Sequence, residues 1–313
     1  DSGITNADGG VIEIVDYNNQ TGWAYAVNGQ SGKLVAIALK DIESKDKVDL
    51  LDGNDIDIKS IVEKADSSFV YGDMTSVSVS HDGKYLALAI QAANYKDNGR
   101  IALFECHEDG TIGLLKIIEV GVQPDMVVYT NDDTQILTAN EGEPRNGYTS
   151  TDPKGTVSII NTKTFEANHV GFEAFDSQEA RQKLVDQGIV IKKGTKPSED
   201  FEVRKATSQS FEPEYIAVSD TKAYITLQEN NAIAIIDLKT QKIESVMSVG
   251  YEDYSKVSVD IDKKDGKYAP QTYNSLRGIR MPDALSVYTV DGVDYIVTAN
   301  EGDSRKWGDY TNE

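Results

Sequence analysis

Apolar and polar residues alternate over short runs along most of the chain. "VIEIVDY" (11–17), "WAYAVN" (23–28) and "LVAIALK" (34–40) open the series, and "SVSVS" (76–80), "YLALAI" (85–90) and "RIALFE" (100–105) continue it. "QILTAN" (135–140), "TVSIINT" (156–162), "AYITLQ" (223–228), "AIAIIDL" (232–238), "LSVYTV" (285–290) and "YIVTAN" (295–300) follow the same pattern. Such runs, rich in Val, Ile, Ala and Tyr and bounded by Gly, Asn and Asp, predict β-strands. Helical periodicity is scarce. "SQEARQKLVDQGI" (177–189) predicts one helix, ended by Gly188, inside a long insertion around 165–210.

The strands fall into a repeat. Units begin at Pro124 ("PDMVVYTNDDTQILTANEGEPR"), Pro213 ("PEYIAVSDTKAYITLQENNAIAIIDLKT") and Pro282 ("PDALSVYTVDGVDYIVTANEGDSR"). A looser unit begins at Met74, and the segment from Gly22 supplies only the later half of one. A small β unit that recurs must stack on its neighbours to bury its faces. Radial stacking makes a β-propeller, which also protects sheet edges. The expected fold is therefore all-β, an incomplete portion of a roughly seven-bladed β-propeller spanning 1–313. A β-sandwich would account for the strands but not for the repeat. The unit from Pro282 reaches "KWGDYTNE" before any outer strands, so the remainder of the propeller is expected on a missing segment or a separate chain.

Two units carry nearly the same acidic loop, "TANEGEPR" (138–145) and "TANEGDSR" (298–305), each after a strand-like run. Gly142 and Gly302 relieve the backbone where the chain turns. In the unit between them Gln228 and Glu229 take the equivalent places. On one propeller rim these loops would converge near the axial channel. Convergent carboxylates are ligands for hard cations, so Glu141, Glu143, Glu301 and Asp303 are candidate Ca²⁺ ligands. Arg145 and Arg305 would orient the loops. The plain alternative is Glu–Arg pairs that brace blade junctions. A second candidate is "DIDKKDGK", where Asp260, Asp262 and Asp265 precede Gly266; it lacks the EF-hand positions and flanking helices. The acidic stretch at 49–59 reads as a solvated loop. His81 reads as structural, and Cys106 as a buried or half-buried thiol.

Composition narrows the function. With 52 acidic against 31 basic residues the net charge is -21, which disfavours nucleic acid and anionic lipid as partners and favours cations. The three histidines leave little for a His-rich transition-metal site, and the single cysteine forbids an intrachain disulfide. No run approaches the ~20 apolar residues of a membrane span. Asp1 opens the chain with no apolar signal segment, as in a processed chain or a fragment. Asn19-Gln20-Thr21 is a glycosylation sequon. No nucleophile elbow, Walker loop or H-E-x-x-H is present.

The two TANEG loops, with "FEPEYIAVSDTKAYITLQENNAIAIIDL" and "QPDMVVYTNDDTQILTANEGEPR", resemble the choice-of-anchor I family, which includes proteins called mesenchyme-specific cell surface glycoproteins. The likeness spans most of 118–305. It implies a secreted or surface-anchored β-propeller, embedded in larger modular chains. Asn146 and Gly147 depart from the acid expected before Tyr148. The resulting expectation is an extracellular or cell-surface module that binds Ca²⁺ and serves adhesion, with an extracellular protein or glycan as partner. The alternatives are a divalent-metal-dependent phosphatase or phosphodiesterase, in which the clustered carboxylates would hold the ion and the arginines clamp phosphate, and a structural spacer.

Overall fold

The computed structural model describes residues 12, 14–29, 31–39, 55–144, 152–191, 206–262, 264–307 and 310–311. The alternating runs are strands, and they pair in chain order. Sheet 1 is β1 (Val15–Asn18), β2 (Trp23–Asn28), β3 (Lys33–Ala38) and β4 (Asp55–Asp57). Sheet 2 is β5 (Tyr71–Val79), β6 (Tyr85–Ala92), β7 (Asn98–Cys106) and β8 (Ile112–Val122). Sheet 3 is β9 (Pro124–Tyr129), β10 (Gln135–Asn140), β11 (Thr156–Asn161) and β12 (Ala167–Val170). Sheet 4 is β13 (Ile216–Val218), β14 (Lys222–Leu227), β15 (Ala232–Asp237) and β16 (Lys242–Ser248). After the short pair β17 (Tyr251–Asp253) and β18 (Arg277–Ile279), β19 (Pro282–Val290) and β20 (Val293–Asn300) make a two-stranded sheet 5. A last short pair is β21 (Lys306–Trp307) and β22 (Tyr310–Thr311).

Every pairing is antiparallel, and period-two alternation sends successive side chains to opposite faces. In β6, Leu86 and Leu88 pack with Tyr25, Leu34 and Phe104 between sheets 1 and 2. Their neighbours Ala87 and Ala89 pack with Val127, Ile136 and Ile160 between sheets 2 and 3. Leu137 and Ile159 then meet Ile216, Ile225 and Ile236 between sheets 3 and 4. Tyr224, Ile233 and Ile235 meet Leu285, Val287 and Ile296 between sheets 4 and 5. The first strands β1, β5, β9, β13 and β19 follow one another in contact. Four-stranded meanders stacked face to face with their first strands in a row are arranged as propeller blades are. The described residues form no closed ring.

Hairpin turns latch neighbouring sheets. Asn18 Nδ2 donates to Gly83 O (2.7 Å), and Asn131 Nδ2 donates to Asp220 (2.9 Å). Asp133 accepts from the backbone N–H groups of His81 (2.9 Å) and Asp82 (3.0 Å) and contacts the His81 ring. His81 is thus structural, as its turn suggested. Cys106 is half-buried, and burial pushes its thiol up to about 11.

Three expectations change. Sheet 1 is a full four-stranded unit rather than half of one. The acidic stretch read as a loop contributes its edge strand β4 and a helix, α1 (Ile58–Ala65), whose N-cap Asp57 accepts from Ser60 N and whose Ile58 and Val62 are buried. The insertion starts later than 165, because Ala167–Val170 is the fourth strand of sheet 3. It holds the expected helix α2 (Gln178–Asp186), capped by Ser177, and its Phe172, Leu184, Ile189 and Ile191 join Phe211 in the core of sheets 3 and 4.

Candidate functional site at the acidic rim

The two TANEG loops are built alike. Asn140 pairs with Pro124 and Asn300 with Pro282, each just past a bulge. Glu141 N donates to Gln123 O (2.9 Å) and Gly142 N to Val122 O; Glu301 N donates to Met281 O (3.2 Å) and Gly302 N to Arg280 O. Gln123 and Met281 have φ of 53° and 46°, and Gly142 and Gly302 have φ of 66° and 72°. A left-handed residue before each first strand and a left-handed glycine after each second strand give the two loops one shape. The loops leave the second strand of their sheets, one place out from the first-strand row, rather than the innermost strand. In sheet 4 the register differs from the sequence alignment. Leu227 opposes Ala232 as Asn140 opposes Thr156, so Gln228 stands at the place of Glu141.

Because first and second strands are antiparallel, the start of one and the end of the other share a rim. That rim gathers acids the sequence reading passed over. Asp125, Glu214 and Asp283 each follow the proline that opens a first-strand segment. The repeated Pro-acid pair in "QPDM", "EPEY" and "MPDA" was the available signal. Glu212 was also missed. Glu214 is 9% exposed. Burial raises it well above the usual carboxylate range, and Glu229, Asp125, Asp283 and Glu212 push the same way. Glu141 is likewise raised well above that range by burial, then by Glu143, Asp125, Glu214 and Glu229. Glu229, on a 3-10 turn at Gln228–Asn230, is pushed up to about 7 by burial and by Glu212, against the opposing pull of Arg305. Its Oε2 is buried without a partner.

Glycine and asparagine bring these elements together. A Cβ on Gly155 would stand 2.5 Å from Pro213 Cδ and 2.9 Å from Glu141 O and would strike Phe211 O, so only glycine lets the Glu141 loop lie on the segment leading to Glu214. Asn230, fully buried, donates to Val190 O (2.7 Å) and Ser210 Oγ (3.2 Å) and ties the Glu229 turn to the insertion. Asn231, at φ 53°, accepts from Met281 N (3.1 Å) and sets the start of sheet 5. Arg305 crosses from the second TANEG loop and buries its guanidinium on Glu212, with Nη2 2.9 Å and Nε 3.2 Å from Oε2, and also donates to Ser210 O (3.0 Å). Its expected orienting role is realised as an ion pair with side chains 0% and 1% exposed.

The sequence-nominated residues divide. Glu141 and Glu143 are half-buried on the rim, and Glu143 O accepts from Gln123 Nε2. Glu301 is exposed and accepts from Gln228 Nε2 (3.1 Å), and Asp303 is exposed with its Oδ1 on Ser304 N. Asp260, Asp262 and Asp265 spend carboxylate oxygens on the N–H groups of Asp262, Lys264 and Lys267 in their own loop. Arg145 lies outside the described residues. Among the described residues no three His, Cys, Asp or Glu side chains stand close enough together to be a preformed metal site.

The choice-of-anchor I domain profile matches residues 13–313. The chain belongs to the choice-of-anchor I domain family. No curated protein matches this choice-of-anchor I chain. Among solved structures it is similar to Kuenenia stuttgartiensis hydrazine synthase, at 13% identity and TM-score 0.40, covering 72% of this chain and 52% of that one. It is similar to the Cps50 (Swd1) β-propeller domain of Myceliophteria thermophila, at 12% identity and TM-score 0.43, covering 77% and 57%. It is also similar to the Pseudomonas aeruginosa periplasmic gluconolactonase PpgL, at 10% identity and TM-score 0.46, covering 76% and 53%. The chain spans about half the length of these structures. Likenesses at this level carry no inference about activity. No helix among the described residues is long and apolar enough to cross a membrane.

Proposed function

We propose that this choice-of-anchor I domain is a secreted or surface-displayed β-propeller module that binds a divalent cation at its acidic rim and mediates adhesion to extracellular proteins or glycans. The observation that supports the reading is the gathering on one rim of carboxylates from sheets 3, 4 and 5, among them the buried Glu214 and the half-buried Glu141 and Glu229. The donors are oxygen atoms without histidine or thiol, which suits Ca²⁺. A hard cation there offsets charge that the fold otherwise leaves out of water. The outer face of sheet 5, with Tyr288, Val290, Val293, Tyr295 and Val297 exposed, is read as the seat of a further sheet of the same propeller, which would carry the ring toward about seven blades. The test is retention of the purified chain on immobilised extracellular-matrix proteins and glycans with Ca²⁺ and with a chelator. Retention that needs Ca²⁺ supports the reading; retention indifferent to the chelator removes the cation from it, and none on any surface removes adhesion.

A further inference from the structure

The geometry points to a second binding site, a groove walled by Trp23 that takes an organic cation, a substituted ammonium group. The groove opens between the outer strands of sheet 1 and the β7–β8 hairpin of sheet 2, and its volume is about 380 Å³. That lies in the size range of small-ligand sites. The TANEG loops follow the ends of second strands, whereas Trp23 begins the second strand of sheet 1. The groove is therefore at the opposite rim and does not depend on metal binding by the rim acids. Trp23, Ala36, Ile56 and Ile112 make its apolar wall, and all four pack into the core between sheets 1 and 2. The indole is held on two sides. Its Nε1 donates to Glu108 O (3.1 Å), and Gly110, at φ 82°, lies so close that a Cβ there would strike Cδ2 of the ring. Trp23 is half-buried, so part of the ring still faces the groove.

Around this wall stand Asp55, Asp57 and Asp109, all exposed. Asp109 accepts from Thr111 N (3.0 Å) and Thr111 Oγ1 (2.6 Å) on Oδ1, and Asp55 meets Lys33 Nζ (3.0 Å) through Oδ2. Asp57 accepts from Ser60 N and Ser60 Oγ as the cap of α1. These hydrogen bonds hold Asp57 and Asp109 below the ordinary carboxylate value, so both are charged at neutral pH. The neighbouring lysines leave that charge in excess. Lys33 is engaged by Asp55, and Lys59 holds its ammonium over the Tyr71 ring (5.9 Å). An indole beside carboxylates in excess selects a cation with an apolar body. The ring quadrupole and the carboxylates attract the charge, and methyl or methylene groups cover the apolar wall, which a hydrated metal ion would leave bare. A neutral ligand of the same shape forgoes the charge attraction. A free amine and a lysine side chain of a partner protein both carry this chemistry.

The test is calorimetric titration of the purified chain with choline and with its uncharged isostere, in which a tert-butyl group replaces the trimethylammonium. Chelator is present throughout, so the outcome is separate from metal binding at the acidic rim. Choline should bind saturably at a single site, and the isostere about tenfold more weakly or worse. Trp23→Leu and Asp109→Asn should each weaken choline binding about tenfold, with circular dichroism confirming that both variants are folded. Asp109→Asn keeps an Oδ1 for Thr111 and so keeps the turn. Asp186→Asn, the same change of charge on α2, should alter the affinity less than about twofold, because salt screens a distant charge. A capped tetrapeptide with one trimethylated lysine distinguishes the sources. Tighter binding than choline assigns the group to a partner's side chain, and weaker binding assigns it to a free amine; either supports the site. No binding of choline, equal affinity for the uncharged isostere, or an equal loss in Asp186→Asn and Asp109→Asn overturns it.

Discussion

Arg305 and Glu212, 93 positions apart, meet at 2.9 Å with both side chains out of solvent. The pair crosses from the second TANEG loop to the segment that starts sheet 4, so it braces two blades at the rim. Removing one member of a buried pair leaves an uncompensated charge, which costs about 3–5 kcal/mol. Arg305→Ala should lower stability by that amount in urea unfolding. Arg305→Met/Glu212→Leu should recover most of it, since a buried pair exchanged for apolar groups of similar size is often neutral. A loss in the double variant as large as in the single would show that other Arg305 contacts dominate.

Gly155 lies between the Glu141 loop and the Phe211–Pro213 segment. Gly155→Ala forces backbone against Phe211 and Pro213, an overpacking that costs about 1–3 kcal/mol. Urea unfolding of the variant beside the wild type checks the cost.

Stability in chelator should pass through a maximum in acid. Burial raises Glu141, Glu214 and Glu229 above their unfolded values, Glu229 to about 7. A carboxyl raised on folding binds its proton more tightly in the native state, so its contribution is full below the unfolded value of ~4.3 and is lost as pH rises through the folded value. Other acids act oppositely. Hydrogen bonds from Ser60 to Asp57, from Thr111 to Asp109, from Thr134 to Asp132 and from Thr240 to Asp237 hold those carboxyls below their ordinary value. Their contribution is present above ~4 and fades as pH falls. The unfolding temperature should therefore peak near pH ~4–5 and fall toward pH ~7–8. A temperature that climbs steadily from pH 4 to 8 would contradict the buried cluster.

Asp133 gathers three contacts from the neighbouring hairpin, two of them backbone N–H groups. Hydrogen bonds to a charged acceptor are worth about 1.5–3 kcal/mol, so Asp133→Ala should destabilise by roughly 2–4 kcal/mol and His81→Ala by less. Chemical denaturation of both variants checks the order.

The fold was largely legible because alternation is a local signal. Leu86 and Leu88 against Ala87 and Ala89 already state that both faces of β6 are covered. The TANEG duplicate was legible too, and its two copies share backbone hydrogen bonds and left-handed residues. Less visible were β4 and α1, since three residues of edge strand and a short helix in an acidic stretch carry weak periodicity. The one-residue offset at Leu227 was hidden because hairpin length, not composition, sets register. The site itself was half legible. Glu141 and Arg305 stood out in a motif, whereas Glu214 and Glu212 flank a proline and acquire meaning only when the insertion folds Phe211 into the core. Which carboxylate is hydrated and which is buried depends on packing that no spacing rule encodes.

The central claim is that the rim of this choice-of-anchor I domain takes up a divalent cation. Isothermal titration of the wild-type chain with CaCl₂ at neutral pH, after exhaustive chelation, tests it most directly. The account expects a saturable heat with a stoichiometry of about one. A flat titration, with no change in unfolding temperature at millimolar Ca²⁺, would contradict it and leave the rim as Arg305–Glu212 bracing alone.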